Sequence, residues 1–129
     1  MREILFRGKQ KYNGEWIISG NVFFGENRKY MYFPNPDNDP VENAFVCREV
    51  IPETVGQYTG LTVPSGNIFE HDIVTAKFKS NGARFNFTVK YSNEKGCYVF
   101  DNGCVKVSFN DIRSVRKIGN IHDNPELLF

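Results

Sequence analysis

Two short segments that combine histidine with acidic residues are the first groups in this chain whose types suggest chemistry. Residues 70–72 are Glu-His-Asp and residues 122–123 are His-Asp. Imidazoles and carboxylates can ligate a metal ion or transfer protons. The chain has only two histidines, however, and it lacks the HExxH, CxxC and CxxH spacings. We therefore expect Glu70 and Asp72 to cap backbone amides at a turn, and we expect no metal, cofactor or catalytic residue.

The three cysteines are a second group that could be reactive. A nucleophilic thiol needs a base and an activating environment, and neither Cys97 nor Cys104 has a histidine nearby in the sequence. An odd, low number of cysteines is not a disulfide framework. If residues 102–103 form a two-residue turn, Asp101 faces Cys104, and the sulfur atoms of Cys97 and Cys104 lie too far apart to bond. We expect all three to be free thiols.

Charge is distributed unevenly along a chain whose formal net charge is only +1. Residues 34–72 hold seven acidic residues and one basic residue, whereas residues 73–121 hold nine basic residues and three acidic ones. The near-neutral total therefore hides an acidic middle and a basic second half.

The basic second half supplies the first candidate binding surface. Cations that contact phosphate and aromatics that stack on bases are typical of small nucleic-acid-binding barrels. Alternation along residues 84–91, however, places Phe85, Phe87 and Tyr91 on the face opposite Arg84 and Lys90, which predicts that these aromatics are core residues. A solvated basic face is the more common outcome. The candidate contact residues for a nucleic acid or another partner are Lys77, Lys79, Arg84, Lys90, Arg113, Arg116 and Lys117.

A second candidate surface lies in residues 50–61, a stretch rich in Gly, Pro and Thr without a clean helical or strand period. Such composition predicts an ordered turn or a short helical turn over residues 52–60. Its polar side chains could form a binding surface, although such groups more often bond their own backbone. These candidate residues are Thr54, Gln57, Tyr58 and Thr59.

The elements that must position these groups are short strands. Aromatic residues make up 15% of the chain, which favours pleated, half-buried surfaces. Five strands, with one helical turn before the fifth, are predicted over residues 72–78, 84–91, 97–100, 104–108 and 115–121. The fold class is therefore all-β and mainly antiparallel, with an SH3-like small barrel over residues 61–129. Residues 1–60 form a smaller N-terminal β unit packed against it, with an exposed Pro/Asn/Asp loop at 34–43; the alternative is one compact unit.

The start of the sequence lacks the apolar region of a signal peptide, and no apolar run approaches the roughly 18 residues that span a membrane. We therefore expect a soluble cytoplasmic protein without a membrane partner.

Several segments together resemble the YopX family of phage and prophage proteins. The likeness runs almost end to end and is most specific at 50–61 and 118–128. The matching stretches are residues 2–9, the pair Trp16 and Gly20, and residues 50–61, 68–74 and 118–128. The resemblance implies a small β-rich accessory protein of unknown function in a bacterial host, with no activity or cofactor to carry over. The family usually has Gly where this chain has His71, so His71 is a poor candidate for shared chemistry.

Together, these features predict a non-enzymatic β module that binds a macromolecule. A host or phage protein, or a second copy of the chain, is the favoured partner, because the net charge is near zero and the aromatics are predicted to be buried. The alternative is a nucleic-acid-binding barrel that uses the basic second half.

Overall fold

Short antiparallel strands make up most of the computed structural model, which describes residues 3–34 and 45–128. The first six strands are β1 (Phe6–Lys9), β2 (Trp16–Ser19), β3 (Asn21–Phe24), β4 (Lys29–Pro34), β5 (Phe45–Val50) and β6 (Gly56–Val63). The other six are β7 (Gly66–Phe69), β8 (Asp72–Phe78), β9 (Arg84–Ser92), β10 (Cys97–Asp101), β11 (Lys106–Val107) and β12 (Ile112–Asn120). The all-β, antiparallel prediction is confirmed. The predicted loop at 34–43 lies outside the described residues, apart from Pro34 at the end of β4.

Two compact units divide the chain between Tyr58 and Thr59, whereas the sequence analysis placed a boundary after residue 60. Unit 1 is residues 1–58 and unit 2 is residues 59–129. Strand β6 begins in the first unit and ends in the second.

Unit 1 contains two sets of paired strands. β1 pairs with β2 and with the start of β6, and β3, β4 and β5 form a three-stranded antiparallel sheet. Gly8 in β1 lies so close to the side chains of Met31 and Val50 that an added Cβ would be 2.8 Å from the Met31 sulfur. Met31 and Val50 are fully buried. Glycine at position 8 therefore leaves the space that the buried Met31 and Val50 side chains occupy.

Unit 2 contains a five-stranded antiparallel sheet in the order β11-β10-β9-β8-β12. A 3₁₀ turn at Phe109–Asp111 precedes β12. Strand β12 pairs with β8, which comes first in the chain among the five strands of this sheet. This order and the turn are compatible with an SH3-like barrel. One side of the sheet packs into a core of fully or nearly fully buried residues: Val63, Ile68, Val74, Ala76, Phe87, Val89, Phe100 and Ile112.

Of the five strands predicted for unit 2, the first three agree closely with β8, β9 and β10. The fourth is reduced to β11, the fifth begins three residues earlier than predicted, at Ile112, and β7 was not predicted. Asp101 pairs with Lys106 and not with Cys104, so residues 102–105 form the loop. The Asn102 side chain explains the longer loop, because its Oδ1 accepts the backbone N–H groups of Cys104 and Val105 at 2.9 and 2.8 Å. All three cysteines are free and exposed, so the prediction of free thiols is confirmed.

The sequence analysis predicted a turn over residues 52–60, but the structure has a turn followed by a strand. A 3₁₀ turn covers Pro52–Thr54, and β6 begins at Gly56. The strand escapes detection because its burial does not alternate: Tyr58 and Thr59, which are adjacent, are both buried.

Candidate functional site

Four of the seven predicted basic contacts lie together on the face of the unit 2 sheet that is opposite its core. In the strand register, Arg113 of β12 is opposite Lys77 of β8, which is opposite Arg84 of β9. We call these three residues the basic row. Arg116 is opposite Thr75, the next residue of β8 on the same face. Lys77 is half-buried and the three arginines are exposed.

A β-bulge brings Arg116 to this face. Residues 113 and 116 are three apart, so in a regular strand their side chains would point to opposite faces. Their partners Lys77 and Thr75 are only two apart, because the register shifts between Arg113 and Arg116. Within this shift Ser114 has a left-handed backbone, with φ of 54°. One extra residue in β12 therefore adds a fourth cation beside the basic row.

Like charges in direct register repel one another. Within residues 3–34 and 45–128, no ion pair joins Arg116 or a side chain of the basic row to a carboxylate. Arg84 donates instead to the Thr75 hydroxyl at 3.3 Å. Cations placed in this way attract anions that carry several negative oxygens.

The remaining predicted cations lie elsewhere and face carboxylates of their own chain. The Lys90 ammonium is 3.2 Å from the Asp101 carboxylate, and the Lys117 ammonium is 3.4 Å from the buried Asp72 carboxylate. Burial raises the pKa of Asp101, but the Gly103 N–H and the Lys90 ammonium outweigh this effect and hold it below its ordinary value. Lys90 and Lys117 therefore differ from the basic row in having their charge offset within the chain.

Lys79 follows β8 and is close enough to Asp111 to help lower the pKa of that carboxyl. The main causes of this lowered pKa are hydrogen bonds from the Ser108 backbone N–H and hydroxyl, both at 3.0 Å. These bonds form the N-terminal cap of the 3₁₀ turn that precedes β12.

The aromatic residues of β9 are only partly core, contrary to the sequence analysis. Phe87 is fully buried, whereas Phe85 and Tyr91 are each 45% exposed. Both partly exposed rings make edge-to-face contacts, Phe85 with Phe78 and Tyr91 with Tyr98. Phe85 and Tyr91 lie near opposite ends of β9, and the core extends only over the residues between them. Because the strand alternates, both rings still lie on the face opposite the basic row.

The second set of candidates, in residues 50–61, is largely enclosed. Thr54, Tyr58 and Thr59 are buried, and Gln57 is half-buried. The Thr54 hydroxyl accepts the Lys9 N–H at 2.9 Å and donates to the Ile51 carbonyl at 2.6 Å. The Thr59 hydroxyl donates to the Ile68 carbonyl at 2.8 Å. The two threonine hydroxyls therefore bond the backbone of this segment and of its neighbouring strands.

An aromatic surface on unit 1 escaped the sequence analysis. Phe23 of β3 is opposite Tyr30 of β4, and Tyr32 of β4 is opposite Cys47 of β5. We call these four residues the aromatic face. Phe23 is 57% exposed and Tyr32 is 38% exposed, and a hydrogen bond with Cys47 raises the pKa of Tyr32. Alternation at residues 30–32 was the available signal, with the buried Met31 between two tyrosines.

The two histidine segments meet in unit 2. The Nε2 atom of His122 is 3.3 Å from the Nδ1 atom of His71, and the two rings are edge to face. His71 has a left-handed backbone with φ of 75°, a conformation that favours glycine. Among the described residues, no group of three or more His, Cys, Asp or Glu side chains is placed to hold a metal ion. As predicted for a cap, the Asp72 carboxylate accepts the Phe69 N–H at 2.7 Å.

The model of the YopX protein family matches residues 5–129. The chain belongs to the YopX family. The resemblance found in the sequence is thus confirmed over essentially the whole chain. The left-handed backbone at His71 is compatible with the glycine that the resemblance implies for this position.

One similar solved structure is the crystal structure of protein EF1440 from Enterococcus faecalis. It is 23% identical, with a TM-score of 0.58, and the match covers 100% of both chains. This likeness shows a shared fold. No curated protein sequence matches the chain. In the part of the chain that the structure describes, no helix is long and apolar enough to cross a membrane.

Proposed function

We propose that this YopX-family chain is a non-enzymatic binding module whose unit 2 contacts the phosphate backbone of a nucleic acid. It acts in the cytoplasm of a bacterial host, in keeping with the phage and prophage setting that the family resemblance implies. Three exposed free thiols suit a reducing compartment of this kind. Binding by a charged sheet face requires no reacting group, which agrees with a sequence that carries no catalytic motif.

The observation that carries the proposal is the register of the basic row. Arg113, Lys77 and Arg84 are direct neighbours on three adjacent strands. Neighbouring strands are about 4.8 Å apart, so the three positive charges are held close together at a cost in electrostatic free energy. Phosphate groups along a nucleic-acid strand would offset this repulsion and release counterions at the same time.

The composition of this face also favours double-stranded over single-stranded nucleic acid. The partly exposed rings of β9, Phe85 and Tyr91, lie on the opposite side of the sheet. Bases therefore have no stacking platform from this strand beside the basic row, and recognition is limited to phosphate and sugar. We expect duplex DNA or RNA to bind at least as well as single strands, with little dependence on base sequence.

Fluorescence anisotropy with labelled duplexes and single strands, at increasing salt, tests the proposal. Contacts with three or four phosphates predict a salt slope of about −3 on logarithmic axes. The variant Lys77→Gln/Arg84→Gln should bind about tenfold or more weakly and show a shallower slope. A matched control, Lys90→Gln/Lys117→Gln, removes the same amount of charge from cations that are already paired with Asp101 and Asp72.

The control should lose much less affinity than the row variant. Equal losses in both double variants would show a general charge effect and contradict a site at the basic row. No binding by the unsubstituted chain at low salt would overturn the nucleic-acid proposal.

A second candidate function, docking of a protein or of another copy of the chain, is favoured by the aromatic face of unit 1. Aromatic residues are enriched at protein interfaces, and here they lie on an exposed sheet face. Arg28, whose pKa is raised by its hydrogen bond with Tyr30, supplies a polar edge. The face is opposite the buried Met31 and Val50, so its exposed rings are not the interior of unit 1.

Sedimentation velocity at increasing concentration tests self-association. The change Phe23→Ser/Tyr32→Ser should abolish any concentration-dependent dimer. Tyr12→Ser is the control, since Tyr12 is 92% exposed and lies outside this face. Self-association that survives the double change would locate the interface elsewhere, and a strictly monomeric chain would leave a different protein as the partner of this face.

A further inference from the structure

The two histidines of the chain are held together by the backbone of unit 2. His71 lies in the turn between β7 and β8, and His122 lies in the turn after β12. The Ile121 N–H donates to the His71 carbonyl at 3.0 Å, and the His71 N–H donates to the Val89 carbonyl at 2.9 Å. These bonds fix the two turns independently of the rings. The contact between the imidazoles is therefore built into the sheet.

The distance between the rings has a chemical meaning. With the His122 Nε2 and His71 Nδ1 atoms 3.3 Å apart, the two nitrogens can share one proton between them. Two nitrogen ligands of a tetrahedral Zn²⁺ ion, each about 2.05 Å from the metal, are themselves about 3.3 Å apart. The observed separation of the two nitrogens is therefore also that of two ligands of one divalent ion.

We propose that His71 and His122 bind a divalent transition-metal ion with an affinity for imidazole, for which Zn²⁺ is the probe. Neutral imidazole suits Zn²⁺, Cu²⁺ and Ni²⁺. The described residues place no third His, Cys, Asp or Glu in the same cluster, so water completes the coordination.

The two histidines lie at the end of the β8–β12 pair where Asp72 is opposite Asn120, whereas the basic row lies towards the other end, where Lys77 is opposite Arg113. The site is thus separate from nucleic-acid binding at the basic row, and either proposal can fail without the other. The left-handed backbone at His71, with φ of 75°, would accept glycine without strain.

The decisive variant is His71→Gly, because it removes a ligand while relieving backbone strain. Loss of metal binding in this variant is therefore not loss of folding. Calorimetric titration of Zn²⁺ alone uses an untagged chain with Cys47, Cys97 and Cys104 changed to serine, since exposed thiols also bind zinc. We expect one Zn²⁺ per chain near neutral pH. Both His71→Gly and His122→Asn should bind at least about tenfold more weakly.

A second readout is independent of affinity. The imidazole Cε1–H signals of both histidines should shift or broaden together in NMR spectra on addition of Zn²⁺, and binding should weaken at about pH 5.5 as protons compete. Equal Zn²⁺ binding by the cysteine-free chain and by its His71→Gly variant would overturn the proposal. So would the absence of any Zn²⁺ effect on the two imidazole signals.

Discussion

The two units of this chain bury different kinds of residue. Among the described residues, the buried apolar side chains of unit 1 are Met31, Val50 and Tyr58, and it also buries the polar Arg7, Gln10, Ser19 and Thr54. Unit 2 buries a larger apolar set, including Phe87 and Phe100, which are fully buried. Among the described residues, burial of apolar side chains therefore contributes more to unit 2, and hydrogen bonds of buried polar groups contribute more to unit 1.

The exposed sheet faces of the two units also differ, because that of unit 2 carries the basic row and that of unit 1 carries aromatic residues. The larger unit presents the basic row, in which charge is concentrated by strand register. The smaller unit presents the aromatic face, in which Phe23 and Tyr32 are exposed on a sheet only three strands wide. A unit with ample apolar core can maintain repelling charges on its surface, since their cost is small against that of the core. This difference is the basis on which we propose charge recognition for unit 2 and apolar recognition for unit 1.

Truncation within β9 should give the largest effect on stability. Phe87→Ala removes a fully buried ring from the core of unit 2 and should lower the free energy of unfolding by about 3–5 kcal/mol. Phe85→Ala, on the same strand and the same face, removes a ring that is 45% exposed and should cost less than half as much. Urea denaturation followed by far-ultraviolet circular dichroism measures both. Similar losses would mean that burial does not distinguish the two positions.

Adding a methyl group at Gly8 tests the close packing of unit 1, just as truncation of Phe87 tests the core of unit 2. Gly8→Ala places a Cβ 2.8 Å from the Met31 sulfur and 3.2 Å from Val50, and should cost about 1–3 kcal/mol. The fluorescence of Trp16, the single tryptophan, reports this loss from unit 1. In a Met31→Ala background the same change should cost less, because the sulfur is gone. An unchanged penalty there would place the strain somewhere other than the Met31 contact.

How much of this could be predicted from the sequence differs between the two units. In unit 2 the alternation of apolar and polar residues predicted β8 with its observed bounds and nearly those of β9. In β6, which begins in unit 1 and ends in unit 2, two adjacent buried residues, Tyr58 and Thr59, concealed the strand. Alternation cannot reveal which of the candidate cations face a carboxylate, as Lys90 faces Asp101. It also cannot reveal a bulge, so the common face of Arg113 and Arg116 required the structure.

Acid should weaken unit 2 through two carboxyl groups whose pKa values are lowered in the folded state, those of Asp101 and Asp111. A lowered folded pKa means that the unfolded chain binds protons first as the pH falls. Their contribution is thus present above the ordinary aspartate range and is lost as the pH falls through the folded values. Unfolding free energies between about pH 5 and about pH 3 should fall less steeply for Asp101→Asn than for the unsubstituted chain. Equal slopes would show that Asp101 does not contribute.

The smallest expected effect on stability concerns the β-bulge of β12, which places Arg116 beside the basic row. Ser114 has φ of 54°, where a side chain is strained and glycine is not. Ser114→Gly should raise the free energy of unfolding by up to about 1 kcal/mol, with nucleic-acid affinity unchanged, because the bulge and the position of Arg116 are kept. Ser114→Val should lower stability, since a β-branched side chain resists this backbone conformation. If valine flattens the bulge, Arg116 moves to the other face and affinity falls as well. Equal stability and affinity in both variants would mean that β12 does not need the bulge to place its cations. Only the three residues of the basic row would then account for binding at this face.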